Sequence, residues 1–149
     1  MTRLGRLLAT LALALLVLPA HADHRLLSNE VPLLGDGTSW MVTATLNGRV
    51  QGRFLLDTGA SYCVVAPAFA RQLALAPTGS FASVHTANGV VRAPVVRLRS
   101  VELGETRVRD VQAIVHDAVG PNLDGVVGLN FLNRFHYAVD PRRRVLTLD

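Results

Sequence analysis

Asp57, Thr58 and Gly59 stand between two apolar runs, Phe54-Leu55-Leu56 before them and Tyr62-Cys63-Val64-Val65 after Ala60 and Ser61. A buried strand that ends on Asp, at a turn needing Gly, places a carboxylate at the floor of a cleft. A carboxylate takes a proton from water when ionised and polarises a carbonyl when protonated. Hydrolysis that needs both acts at once needs two carboxylates sharing one proton. At about 3 Å apart both cannot ionise, so their apparent pKa values split. The bland alternative is a surface turn in which Asp57 caps its own backbone.

The chain holds one such triplet. Asp124-Gly125 lacks a hydroxyl residue between its members, and Asp36-Gly37-Thr38 reads as a turn. A second carboxylate must therefore come from a second copy, since two-fold symmetry brings one residue per subunit to the axis. Other chemistries lack support. Ser61 has no Gly-x-Ser-x-Gly setting and no placed His, which leaves it a weak nucleophile. His24, His85, His116 and His136 show no metal-ligand spacing, and no metal or cofactor is expected. His85, just before the second Asn-Gly, reads as an exposed strand-end residue. The lone Cys63 excludes an internal disulfide and reads as a small buried apolar residue. Asn-x-Ser/Thr and phosphate-loop patterns are absent.

The elements that would position Asp57 are short strands. Residues 30–34 form a candidate edge strand with Pro32, followed by a turn at 35–38. Residues 40–46 and 49–56 flank Asn47-Gly48, a strong hairpin signal, and the second arm runs straight into Asp57. Residues 62–65 make a further strand, and Pro67 suits the first turn of a helix over 66–73. Residues 81–85 and 90–98 read as a hairpin about Thr86-Ala87-Asn88-Gly89. Strands at 95–103 and 108–115 follow, with a turn at Gly104. Residues 126–128 read as a strand, 129–135 as a helix, and 137–140 with 145–148 as a closing hairpin.

Phe54-Leu55-Leu56-Asp57-Thr58-Gly59-Ala60-Ser61 resembles the active-site segment of retropepsin-like aspartic proteases, in particular the single-domain bacterial members. Thr86-Ala87-Asn88-Gly89 is similar to their flap tip, and Val126-Val127-Gly128 to the segment that passes the catalytic loop before a short helix. The resemblance covers roughly residues 31–149. It implies a mostly β, small closed acid-protease barrel with one or two short helices. It further implies a catalytic Asp57 paired across a homodimer, with a flap around residues 85–91. Thr58 would hydrogen-bond across the axis, and Gly59 would bring its N–H to the carboxylates. Ala60 and Ser61 would support the loop, and Thr86, Ala87, Asn88 and Gly89 would contact a polypeptide substrate. A non-catalytic binding or dimerisation module on the same fold is the alternative, although such a module has no need of the carboxylate.

At 149 residues, half of them hydrophobic and 17% charged, the chain suits one globular domain. All basic residues are Arg, scattered except for Arg142-Arg143-Arg144 after Asp140-Pro141, which reads as a solvated turn. No basic face with aromatic interleaving is visible, so nucleic acid is not an expected partner. Residues 1–22 read as a signal peptide. Arg3 and Arg6 precede an apolar run from Leu7 to Leu18, and Ala20-His21-Ala22 is a cleavage signal before Asp23. That run is too short to span a bilayer comfortably, so a periplasmic or secreted protein of residues 23–149 is expected, with membrane attachment only if cleavage fails.

Overall fold

The computed structural model describes residues 29–86, 89–117 and 120–149. The expected signal peptide, residues 1–22, lies outside them. Ten strands and two short helices follow in chain order. They are β1 (Asn29–Pro32), β2 (Met41–Leu46), β3 (Val50–Leu56), β4 (Cys63–Val65), α1 (Pro67–Gln72), β5 (Pro77–Thr86), β6 (Gly89–Leu103), β7 (Thr106–Val115), β8 (Gly125–Val127), α2 (Leu129–Leu132), β9 (Tyr137–Asp140) and β10 (Val145–Leu148).

The larger sheet runs β2-β3-β8-β4-β7-β6-β5, and a second pairing of β2 with β6 closes six of these strands into a barrel. Alternation builds the wall. Along β2, Val42, Ala44 and Leu46 are buried while Thr43 is exposed. β8 is buried at all three residues, as a central strand covered on both faces must be. Phe54, Leu46, Leu98, Phe131 and Leu132 fill the interior, and Phe69 from α1 meets Phe54 edge-on at 5.6 Å. Among the described residues no helix is long and apolar enough to cross a membrane.

The first Asn-Gly behaves as its chemistry predicts. Asn47 and Gly48 both take positive φ, 56° and 64°, in the tight turn between β2 and β3. The Asn47 side chain does more. Its Oδ1 accepts from the Arg99 N–H at 2.7 Å, while the Asn47 backbone N–H donates to the Ser100 carbonyl at 2.8 Å. The hairpin tip is thereby stitched to β6, where the barrel closes.

Two expectations need correction. Residues 90–98 and 95–103 are one continuous 15-residue strand, β6, that passes through Pro94 opposite Phe81. The second helix stops at Leu132 rather than reaching residue 135. The strand with Pro32 does lie at an edge: β1 runs antiparallel to β10, and β9 completes a separate three-stranded sheet. Arg143 holds both carboxylate oxygens of Glu30 at 2.9 Å across that pair. The Asn29 side chain locks into the β6–β7 turn, donating to the Leu103 carbonyl and accepting from the Glu105 N–H.

Candidate active site

β3 lies parallel to β8, with Leu56 opposite Val127. At the end of that ladder the Leu56 N–H donates to the Trp40 carbonyl at 2.8 Å and the Asp57 N–H to the Val127 carbonyl at 3.1 Å. The strand is therefore fixed up to the residue that carries the carboxylate. The chain then turns back on itself: the Ala60 N–H reaches the Asp57 carbonyl at 3.3 Å, and the Gly59 N–H donates to Asp57 Oδ1 at 2.8 Å. A Cβ at Gly59 would sit 3.1 Å from that oxygen, tighter than ordinary contact, so glycine leaves the carboxylate approachable. Asp57 is half-buried, while Thr58 and Gly59 are exposed. Among the described residues the Thr58 hydroxyl has no partner within the chain.

The far side of the loop rests on α2. The carbonyls of Ala60 and Ser61 accept from the Leu129 and Asn130 N–H groups at 2.8 and 3.2 Å, so the first donors of the helix are satisfied by this loop. Gly128 lies so close that a Cβ there would strike the carbonyls of both Tyr62 and Ala60. Asn130 ties the assembly together. Its Oδ1 accepts from the Cys63 N–H at 2.9 Å, and its Nδ2 donates to the Gln112 carbonyl at 2.7 Å, bridging β4 and β7. Reasoning from sequence missed Asn130. The available signal was one amide within the otherwise apolar Leu129-Asn130-Phe131-Leu132.

Among the described residues no second carboxylate joins Asp57. Asp124 lies against the middle of β3, where its Oδ2 accepts from the Arg53 N–H at 2.8 Å and its N–H donates to the Arg53 carbonyl. Asp36 accepts from the N–H and hydroxyl of Thr38, bonds that hold its carboxyl below the usual range in an exposed turn. Cys63 is buried, and burial pushes its thiol up to about 11. Among the described residues no group of His, Cys, Asp and Glu is arranged to hold a metal ion.

β5 and β6 form the second hairpin, with Thr86 opposite Gly89 as the last pair. Ala87 and Asn88, which complete the expected flap tip, lie outside the described residues. Gly89 has φ +117°, a conformation that L side chains resist. The two faces of the hairpin differ. Ala82, Val84 and Val91 are half-buried, whereas Phe81, His85 and Val90 are exposed and Arg92 lies over the Phe81 ring at 4.8 Å.

An aspartyl protease family model matches residues 42–131, a span that begins in β2 and ends in α2. No curated protein matches the chain. Among solved structures, a retropepsin-like aspartic protease from Rickettsia conorii is 23% identical, covers 81% of this chain and 90% of its own, and superposes with a TM-score of 0.59. The retroviral protease-like domain of Ddi1 from Leishmania major is 22% identical over 73% of this chain and 86% of its own, with a TM-score of 0.51. At such identities the likeness is one of fold: a mostly β retropepsin-like barrel, as the resemblance of the Asp57 segment implied.

Proposed function

Because the chain belongs to the aspartyl protease family, matched over residues 42–131, we propose that it is an exported endopeptidase whose catalytic pair is Asp57 from each of two copies. The observation that carries this reading is the Asp57 loop. Its carboxylate receives the Gly59 N–H at 2.8 Å, and among the described residues the Thr58 hydroxyl has no partner and no second carboxylate lies with Asp57. A single subunit is half a site. In the dimer the ionised Asp57 takes a proton from water while the water oxygen bonds to the peptide carbonyl carbon. The protonated Asp57 gives its proton to the carbonyl oxygen. Collapse of the tetrahedral species breaks the C–N bond, and the amine leaves with a proton. Thr58 is suited to bond across the axis, Ala60 and Ser61 hold the loop on α2, and the Thr86–Gly89 hairpin tip serves as the flap over a polypeptide.

Asp57→Asn keeps side-chain size and removes the titrating group. Turnover of an unfolded protein at acid pH should vanish, with folding and dimerisation unchanged. Excess variant mixed with the unsubstituted protein should suppress activity beyond simple dilution, because mixed dimers hold one carboxylate. Activity that tracks the amount of unsubstituted protein linearly would sink the paired mechanism, and no turnover by the unsubstituted protein would leave the binding-module alternative. A shared proton also predicts a bell-shaped rate profile below neutral pH. Export rests on Ala20-His21-Ala22 after the apolar run, and N-terminal sequencing should find Asp23 first. A start at Met1 with membrane retention would mean an anchor.

A further inference from the structure

The loop that begins at Asp57 ends at Tyr62, and there it forms one wall of a cleft of about 210 Å³. Arg97, Asp110, Gln112, Asn130 and Arg134 supply much of the rest of the lining. Their polar groups are unequally committed. Asn130 is spent on the Cys63 N–H and the Gln112 carbonyl. Arg97 is held by Asp110 at 2.6 Å, so those charges neutralise each other. Among the described residues Arg134 has no carboxylate partner. The cleft therefore carries one uncompensated positive charge, beside an aromatic ring that remains 41% exposed.

Its position relative to the chemistry follows from chain length. Tyr62 is five residues beyond Asp57, so their Cα atoms lie at most about 18 Å apart, and the turn at Asp57–Ala60 shortens this. An extended polypeptide advances about 3.3 Å per residue. The cleft therefore lies within the span of roughly five extended substrate residues from Asp57. Resting on the endopeptidase reading above, we infer that this cleft is a specificity subsite for an acidic side chain of the substrate, Asp or Glu. Arg134 is the group that recognises it. A guanidinium offers a planar fork of donors that fits a carboxylate, and Tyr62 lines the same cleft. Two-fold symmetry would set one such cleft on each side of the cut bond.

The test separates recognition from cleavage. Two pools of short random peptides, amidated at the C-terminus so that side chains hold the only carboxylates, differ in having Glu or Gln at the same positions. They are passed over immobilised Asp57→Asn protein at low salt. Retention of the Glu pool should exceed that of the Gln pool roughly tenfold, the worth of one charge-assisted hydrogen bond. Arg134→Gln should abolish the difference, and Arg134→Glu should turn the preference towards Lys- and Arg-bearing peptides, with melting temperatures unchanged. Equal retention of the two pools, or an acidic preference that survives Arg134→Glu, overturns the inference. Digestion of an unfolded protein by the unsubstituted chain is read alongside. Sorting by charge without digestion supports the subsite and removes the endopeptidase reading; digestion without sorting does the reverse.

Discussion

Cys63 sits 3% exposed at the start of β4, directly beyond the Asp57 loop, and burial raises its thiol from 9.0 to about 11. A backbone hydrogen bond from Gly128 pulls the other way and loses to desolvation. The sign of the consequence is fixed. Below about pH 9 the thiol is neutral both folded and unfolded, and its contribution to stability is complete. Between about 9 and 11 the unfolded chain ionises while the folded one does not, so stability falls as pH rises towards the folded value. Two pH units correspond to roughly 2–3 kcal/mol. Urea unfolding followed across that window should decline by about this much more for the unsubstituted protein than for Cys63→Ala; coincident slopes would mean the thiol is not buried. Legibility at this scale divides by distance along the chain. Asp57-Thr58-Gly59 was readable because its turn, its polarity and its apolar flanks are local. Asn29, Asn47 and Asn130 were not, because each clamps backbone groups 74, 52 and 67 positions away, and nothing beside them in sequence marks that.

The hairpins were the easiest elements to foresee and the easiest to underestimate. Asn47-Gly48 announced its turn, since few residue pairs accept two successive positive φ values. Its bonds to Arg99 and Ser100 are tertiary and left no local trace. β6 was read as two overlapping strands, 90–98 and 95–103, because nothing local discloses that one strand runs for 15 residues. In place, Pro94 faces Phe81 on β5, the last strand of the sheet, where a missing donor is tolerated. The helix after Gly128 was expected to reach residue 135; apolar spacing alone does not disclose that a short helix is held by the loop it supports. At the tip of the second hairpin, Gly89 has open space around a notional Cβ but φ +117°. Strain, not crowding, therefore governs Gly89→Val. Hairpin tips belong to the low-stability end of a fold. The substitution should lower turnover about tenfold or more while moving the melting temperature by only a few degrees. Full activity in that variant would remove the hairpin from the proposed mechanism.

At the scale of the whole molecule the barrel was foreseeable and the terminal sheet was not. Alternating apolar strands of this length fold into few closed shapes, but which strand pairs with which end depends on contacts across the full chain. β1 and β10 satisfy each other within one subunit. A catalytic centre built from two such subunits should lose specific activity on dilution, in step with the dimer fraction measured by sedimentation. Specific activity that is flat across dimer dissociation would contradict a shared site. The same pairing bears on how the chain is made. Asn29 lies opposite Leu148, so the first strand of the described domain to leave a ribosome must wait for the last. At 5–20 residues per second that wait is on the order of ten seconds. Until then Val31 and Leu33, 2% and 4% exposed in the finished protein, lack the partners Leu146 and Arg144 beside them. They are the surface a chaperone would hold.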